Sequence, residues 1–143
     1  MALSRFSILV SLAAGTAMAL PALAVQDQPV TIGGVETVCT GVGSAKDNPA
    51  WGAYPVKLVF ANSAGEDLAA VHVAIAKDGD TVMETDCDAP WLLVKAPAGA
   101  YSVTATVAGQ AARHATAQFS TNGSGAQKTV TLTFPSPKQQ ASI

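Results

Sequence analysis

The chain has 143 residues, 49% of them hydrophobic and only 13% charged, with a formal net charge of −2. No basic run occurs anywhere along it, so nucleic acid and anionic membrane surfaces are excluded as electrostatically favoured partners. The length accommodates one domain of ordinary size beside a targeting segment.

Residues 1–24 have the order of a cleavable secretory signal. Arg5 supplies a positive charge, residues 6–20 are apolar, and Ala22-Leu23-Ala24 forms a small-residue exit. A transmembrane anchor is the competing reading. However, Ser7, Ser11, Gly15 and Thr16 interrupt the apolar stretch, and Pro21 ends it short of about 20 strongly apolar residues. No Cys follows the cleavage point, so a lipid anchor is not implied. The expected mature product spans residues 25–143, with 7 basic and 10 acidic side chains once Arg5 is removed, a net charge of −3. Its expected location is the periplasm or the exterior, with no membrane anchor after signal cleavage.

That compartment is oxidising, and the chain holds two cysteines, Cys39 and Cys87. A disulfide between them closes a loop whose entropy is worth about 4 kcal/mol in the chain-entropy model. A metal or redox role is the alternative. It lacks both a Cys-x-x-Cys spacing and a His within a few residues of either thiol.

Downstream of the signal, residues 25–34 form a short polar lead, and Val35-Glu36-Thr37-Val38-Cys39 is a first strand. Residues 41–55 contain three Gly and two Pro with no periodicity, which predicts a long irregular loop. Loops of this length are uncommon in compact domains unless functional.

From residue 56 the apolar period is close to two, the signature of strands with one buried face. Val56, Leu58 and Phe60 form one such strand, and Val71, Val73 and Ile75 another. Asp78-Gly79-Asp80 is a hairpin turn, from which residues 81–85 return. The continuous run Trp91-Leu92-Leu93-Val94 predicts a central strand covered on both faces. Tyr101, Val103, Ala105 and Val107 line the next strand, and Ala115, Ala117 and Phe119 the one after. Asn122-Gly123-Ser124-Gly125 reverses the chain, and Val130, Leu132 and Phe134 complete the set. Asn122-Gly123-Ser124 also fits a glycosylation acceptor, although turn chemistry explains it equally.

No sustained 3.6-residue repeat competes. The fold class is therefore all-β: a seven- to eight-stranded antiparallel β-sandwich over residues 56–134 with the 25–55 segment before it, and a flexible tail at 135–143.

Ala70-Val71-His72-Val73-Ala74-Ile75, the Asp78-Gly79 turn, Thr85-Asp86 and above all the block from Pro97 through Gly99, Tyr101 and Val103 to Ala105 carry a further signal. Across residues 56–134 the chain resembles the transthyretin-like, or carboxypeptidase regulatory-like, family of small sandwiches, with an immunoglobulin-like layering. In that family the block forms a turn and strand whose Tyr enters the core. Ala96 replaces the usual Leu, and Cys87 interrupts the Thr-Asp connection. The resemblance implies no enzymatic activity, since such domains accompany enzymes, bind partners or ligands, or add stability.

Catalytic and metal-ligating patterns are weak throughout. His72 and His114 fall opposite the apolar positions of their strands, as solvated residues do, and no zinc-type spacing surrounds them. Asp78, Asp80, Asp86 and Asp88 suggest a cation site, but the strand between the pairs is on the order of 16 Å long and turn chemistry accounts for both. No Gly-x-Ser-x-Gly elbow is present. The expectation is no enzyme, no cofactor and no metal. Trp51 and Tyr54, set among Gly and Pro, are the candidate binding residues, able to stack on a sugar or anchor a protein. The alternative is that Trp51 folds back and plugs one end of the sandwich near Cys39. The expected partner is another envelope protein, or else a small ligand.

Overall fold

The computed structural model describes residues 26–135. The expected signal and, apart from Pro135, the expected tail lie outside the described residues. Nine strands follow one another: β1 (Pro29–Ile32), β2 (Val35–Thr40), β3 (Val56–Asn62), β4 (Val71–Lys77), β5 (Asp80–Cys87), β6 (Trp91–Lys95), β7 (Gly99–Val107), β8 (Gln110–Thr121) and β9 (Lys128–Phe134). They form a five-stranded sheet, β1-β2-β6-β3-β9, packed on a four-stranded sheet, β5-β4-β7-β8. The protein is a β-sandwich.

Period-two alternation produces the core directly. Leu58, Phe60, Leu92, Val94, Leu132 and Phe134 point inward from the first sheet against Val71, Val73, Ile75, Tyr101, Val103 and Phe119 of the second, all at most 5% exposed. Phe60 and Phe134 meet edge to face at 6.4 Å, and Tyr101 stacks on Phe119 at 5.3 Å. The Tyr101 hydroxyl donates to the Pro97 carbonyl at 2.7 Å, which satisfies the one polar atom that its burial would strand. Asp78 and Gly79 both adopt positive φ, 53° and 84°, as a two-residue hairpin turn requires.

Cys39 of β2 and Cys87 of β5 form a disulfide, with Cα atoms 5.6 Å apart. Since β2 and β5 belong to different sheets, the bond clamps the two layers together, 48 residues apart in sequence.

Three expectations need correction. Residues 29–32 are a strand, not a polar lead: Gly33 and Gly34, at φ 57° and 78°, make a tight turn that pairs Ile32 with Val35. This is why the strand count reaches nine. Next, β9 runs parallel to β3, from Val56 opposite Lys128 to Asn62 opposite Phe134, whereas every other strand pair is antiparallel. Residues 122–127 therefore carry the chain from one sheet to the other. The crossing is pinned where the Lys128 amide donates to the Pro55 carbonyl at 2.8 Å. Finally, Asp86 lies within β5 and not in a turn.

The hairpin of β1 and β2 also closes one side of the sandwich. A Cβ at Gly33 would overlap the carbonyl oxygen of Val82 in β5, whereas one at Gly34 would meet nothing within 4 Å. Both positions carry positive φ, so alanine strains either backbone, by about 1–3 kcal/mol. Gly33→Ala should therefore lower the urea midpoint of the oxidised protein clearly more than Gly34→Ala. Equal losses would mean that the hairpin tip does not rest on β5.

Candidate functional site

β6 is the central strand of the five-stranded sheet, with β2 on one side and β3 on the other. Its alternation sends Leu92 and Val94 into the sandwich and Leu93 outward, yet Leu93 is fully buried. Its cover is the segment between β2 and β3. Instead of an irregular loop, that segment holds two short 3-10 helices, Gly43–Asp47 and Pro49–Ala53. Asn48 separates them: its side chain accepts from the Ala50 amide at 3.0 Å, and Pro49 suits the first position of the second helix.

Trp51 and Tyr54 form the underside of this ridge. They make a small second core with Val38 and Leu93 and are only 8% and 6% exposed. The two rings meet edge to face at 6.2 Å, and the Trp51 indole N–H donates to the Ala45 carbonyl at 2.8 Å. From the β8–β9 connection, the Gln127 side-chain amide donates to the carbonyls of Trp51 and Tyr54 at 2.9 and 3.1 Å. The segment folds back and buries Trp51, as the alternative to open aromatic platforms has it. Its placement needs correction, since Trp51 covers the outer face of a sheet and not one end of the sandwich. The physical reason is Leu93: a sheet position apolar on both faces must find a second cover, and these two aromatics supply it.

Burial is the main cause that raises the Tyr54 phenol above its ordinary value of 10.0, followed by the negative charge of Glu36 and a hydrogen bond to it.

What the ridge leaves uncovered is centred on Trp91, a residue that sequence reasoning assigned only to the central strand. Trp91 lies on the outer face of β6, opposite Thr40 of β2 and Val59 of β3. The Lys57 ammonium stands over its ring at 3.5 Å from the centroid, and that of Lys46, from the first 3-10 helix, lies at 5.9 Å. Gly41 packs against the same indole, where a Cβ would come within 2.7 Å of two ring carbons. Beside it Val42 is 54% exposed, the only exposed large hydrophobic side chain among the described residues. The clue in the sequence was the position of Trp91 at the open end of an apolar run, where the ridge no longer reaches.

The other sheet presents a different outer face. Asp86, His72, Thr106 and His114 form one row across its four strands. His72 is not simply solvated: its Nδ1 lies 2.7 Å from an Asp86 carboxylate oxygen, and Glu84 is 3.9 Å from its Nε2. Among the described residues no group of three or more His, Cys, Asp and Glu side chains is arranged to hold a metal ion. Asp78 is the first residue of the exposed β4–β5 turn and Asp80 follows it at the start of β5. A shallow groove of about 330 Å³ beside the 122–126 loop is lined by Pro55, Ser120, Thr121, Asn122, Ser124 and Lys128. Its one charged group is Lys128, whose ammonium lies 3.5 Å from the Ser120 carbonyl.

The raised Tyr54 value fixes the sign of a pH effect. The folded state holds the phenolic proton more firmly than the unfolded chain, so this contribution is complete below about pH 10 and is lost as pH rises through the folded value. Unfolding free energies measured from pH 8 to 11 should show this alkaline decline, and Tyr54→Phe should reduce it. An identical decline in the variant would mean that Tyr54 ionises as freely as in water.

No protein-family model matches the chain, and no curated protein is similar to it in sequence.

Proposed function

We propose that this chain is a non-enzymatic accessory domain, exported through its N-terminal signal to the periplasm or exterior, that engages another envelope protein through the ridge at residues 41–53. The observation that carries the reading is the construction of the ridge. Its aromatic residues are spent on holding it to the sheet, and its upper surface presents Val42, Lys46, Pro49, Ala50 and Gly52, all exposed. A segment fixed in this way loses little further conformational freedom when a partner docks. The Cys39–Cys87 bond, which closes just before the ridge begins, and the absence of any helix long and apolar enough to cross a membrane among the described residues are in keeping with export.

The transthyretin-like resemblance belongs to the same proposal. It is supported by Tyr101, which enters the core from the turn at Pro97 and Gly99 and bonds back to that turn. A carbohydrate or small-ligand module using Trp51 and Tyr54 is the weaker reading, because both rings would have to leave Val38 and Leu93 before offering a face.

A photo-crosslinking residue at Val42, in the exported protein within its native host, tests this. The expected result is one dominant protein adduct that is missing when the crosslinker is moved to Thr104, exposed on the outer face of the other sheet. Correctly exported, oxidised protein with no Val42-specific protein adduct would overturn the reading.

A further inference from the structure

We infer that the partner is recognised through a carboxylate-rich protein segment seated on Lys57 and Lys46 around Trp91. This rests on the proposed docking of a protein at the ridge and names the chemistry of its partner.

The Lys57 ammonium is held over the Trp91 ring, and that of Lys46 lies at the edge of the same ring's reach. Among the described residues the contacts within ion-pair distance are those of the His72 ring with Glu84 and Asp86. Neither Lys57 nor Lys46 has a carboxylate of the described residues within ion-pair distance, although Asp47 directly follows Lys46. Instead both approach one indole ring, at 3.5 and 5.9 Å. A ring quadrupole attracts a cation and orients it but leaves its full charge available. Fixing a free lysine side chain costs up to about 2 kcal/mol of rotamer entropy. Part of that cost is already met for Lys57, which is half-buried over the ring. The ring is itself fixed from below, since Trp91 pairs through its backbone with Thr40 and Val59 and packs against Gly41.

The surroundings suit carboxylates. Lys57 stands opposite Thr129 of β9 and Val59 opposite Thr131, and both threonines are exposed, so hydroxyl donors flank the cations. Glu36, the acid on β2, pairs in register with Lys95, whereas Trp91 pairs with Thr40 at the opposite end of the strand. On the order of 13 Å separates those rows. The acids nearest that row are engaged elsewhere or lie in connections: the Asp27 carboxylate accepts from the Thr40 hydroxyl at 2.6 Å, and Asp88 lies in the β5–β6 connection, where its carbonyl accepts from Gln26. The protein is acidic overall, so an acidic partner gains attraction where two ammonium groups stand together, as Lys57 and Lys46 do around Trp91.

A protein segment fits better than an anionic glycan. Stacking on a sugar needs an open ring face, and the Trp91 indole already carries the Lys57 ammonium and the Gly41 backbone. Val42, adjacent to Gly41 and 54% exposed, supplies an apolar contact for a side chain among the acidic ones. The fit is therefore to an acidic stretch interrupted by an apolar residue.

The test repeats Val42 crosslinking with the oxidised, exported full chain carrying Lys46→Gln and Lys57→Gln together, and separately Lys57→Arg. An unchanged thermal midpoint for each variant verifies the fold. The adduct yield to the same protein should fall at least about tenfold in the double variant. It should survive in Lys57→Arg, since Arg keeps both the charge and the ring contact. A hexaglutamate peptide should compete for the adduct at low salt and lose its effect as ionic strength rises, whereas a hexalysine peptide should not compete. Retention of the adduct in the double variant would overturn acidic recognition while leaving the docking face standing. A Val42 adduct consisting of glycan, or of a second copy of this chain, would overturn the acidic-partner assignment. No Val42 adduct even in the unaltered protein would remove the docking reading itself and this inference with it.

Discussion

The rest of the structure depends on the two-sided burial of β6. A strand whose consecutive side chains Leu92, Leu93 and Val94 are all fully buried cannot belong to a sandwich with one solvated outer face; it needs cover from both directions. Fully burying one such side chain is worth about 2 kcal/mol, so leaving Leu93 open would cost a noticeable fraction of the stability of a small domain. The inner cover is the four-stranded sheet. The outer cover is the ridge at residues 41–53, which makes the protein three layers deep over the centre of its larger sheet. The disulfide acts at the same place: Cys39 pairs in register with Leu92, so the bond between the sheets lies beside the strand that both covers share.

What was legible in the sequence was local. Alternation along Val71, Val73 and Ile75, or along Tyr101, Val103 and Ala105, is a property of neighbouring residues and survives in the structure unchanged. The same holds for the Asp78-Gly79 turn. The Cys39–Cys87 pairing was legible for a different reason, since a chain with two cysteines has one intramolecular choice. The β1 strand was missed because Val30 and Ile32 are few and polar residues surround them, although Gly33-Gly34 is a recognised hairpin signal.

The remaining differences are not local. Nothing in residues 128–134 states that they pair with β3 and not with β8, because alternation gives a strand its faces but not its neighbour. That Trp51 and Tyr54 are anchors followed in principle from Leu93, whose second face demanded large apolar cover from somewhere. Which aromatics supplied it depended on how the 41–55 segment folds, and that is decided by Asn48, Pro49 and the Gln127 contacts together. Trp91 escaped notice as a surface residue for a related reason. An apolar run looks uniform in sequence, but the ridge covers its middle and leaves its first residue at the open margin, where Lys57 and Lys46 collect around it. The two sheets thus end with unlike outer faces. One carries a ridge and a pair of cations, and the other a row of histidines, acids and hydroxyls.

The central claim is that Trp51 is a buried anchor between the ridge and the sheet, and tryptophan fluorescence tests it most directly. Trp91→Phe leaves Trp51 as the only tryptophan in the chain. Its emission in the oxidised, folded protein should be blue-shifted and resist acrylamide quenching until the protein unfolds. Emission at the wavelength of solvated indole, quenched in the folded protein as readily as in the unfolded one, would mean that the ridge does not cover Leu93 and would contradict the account.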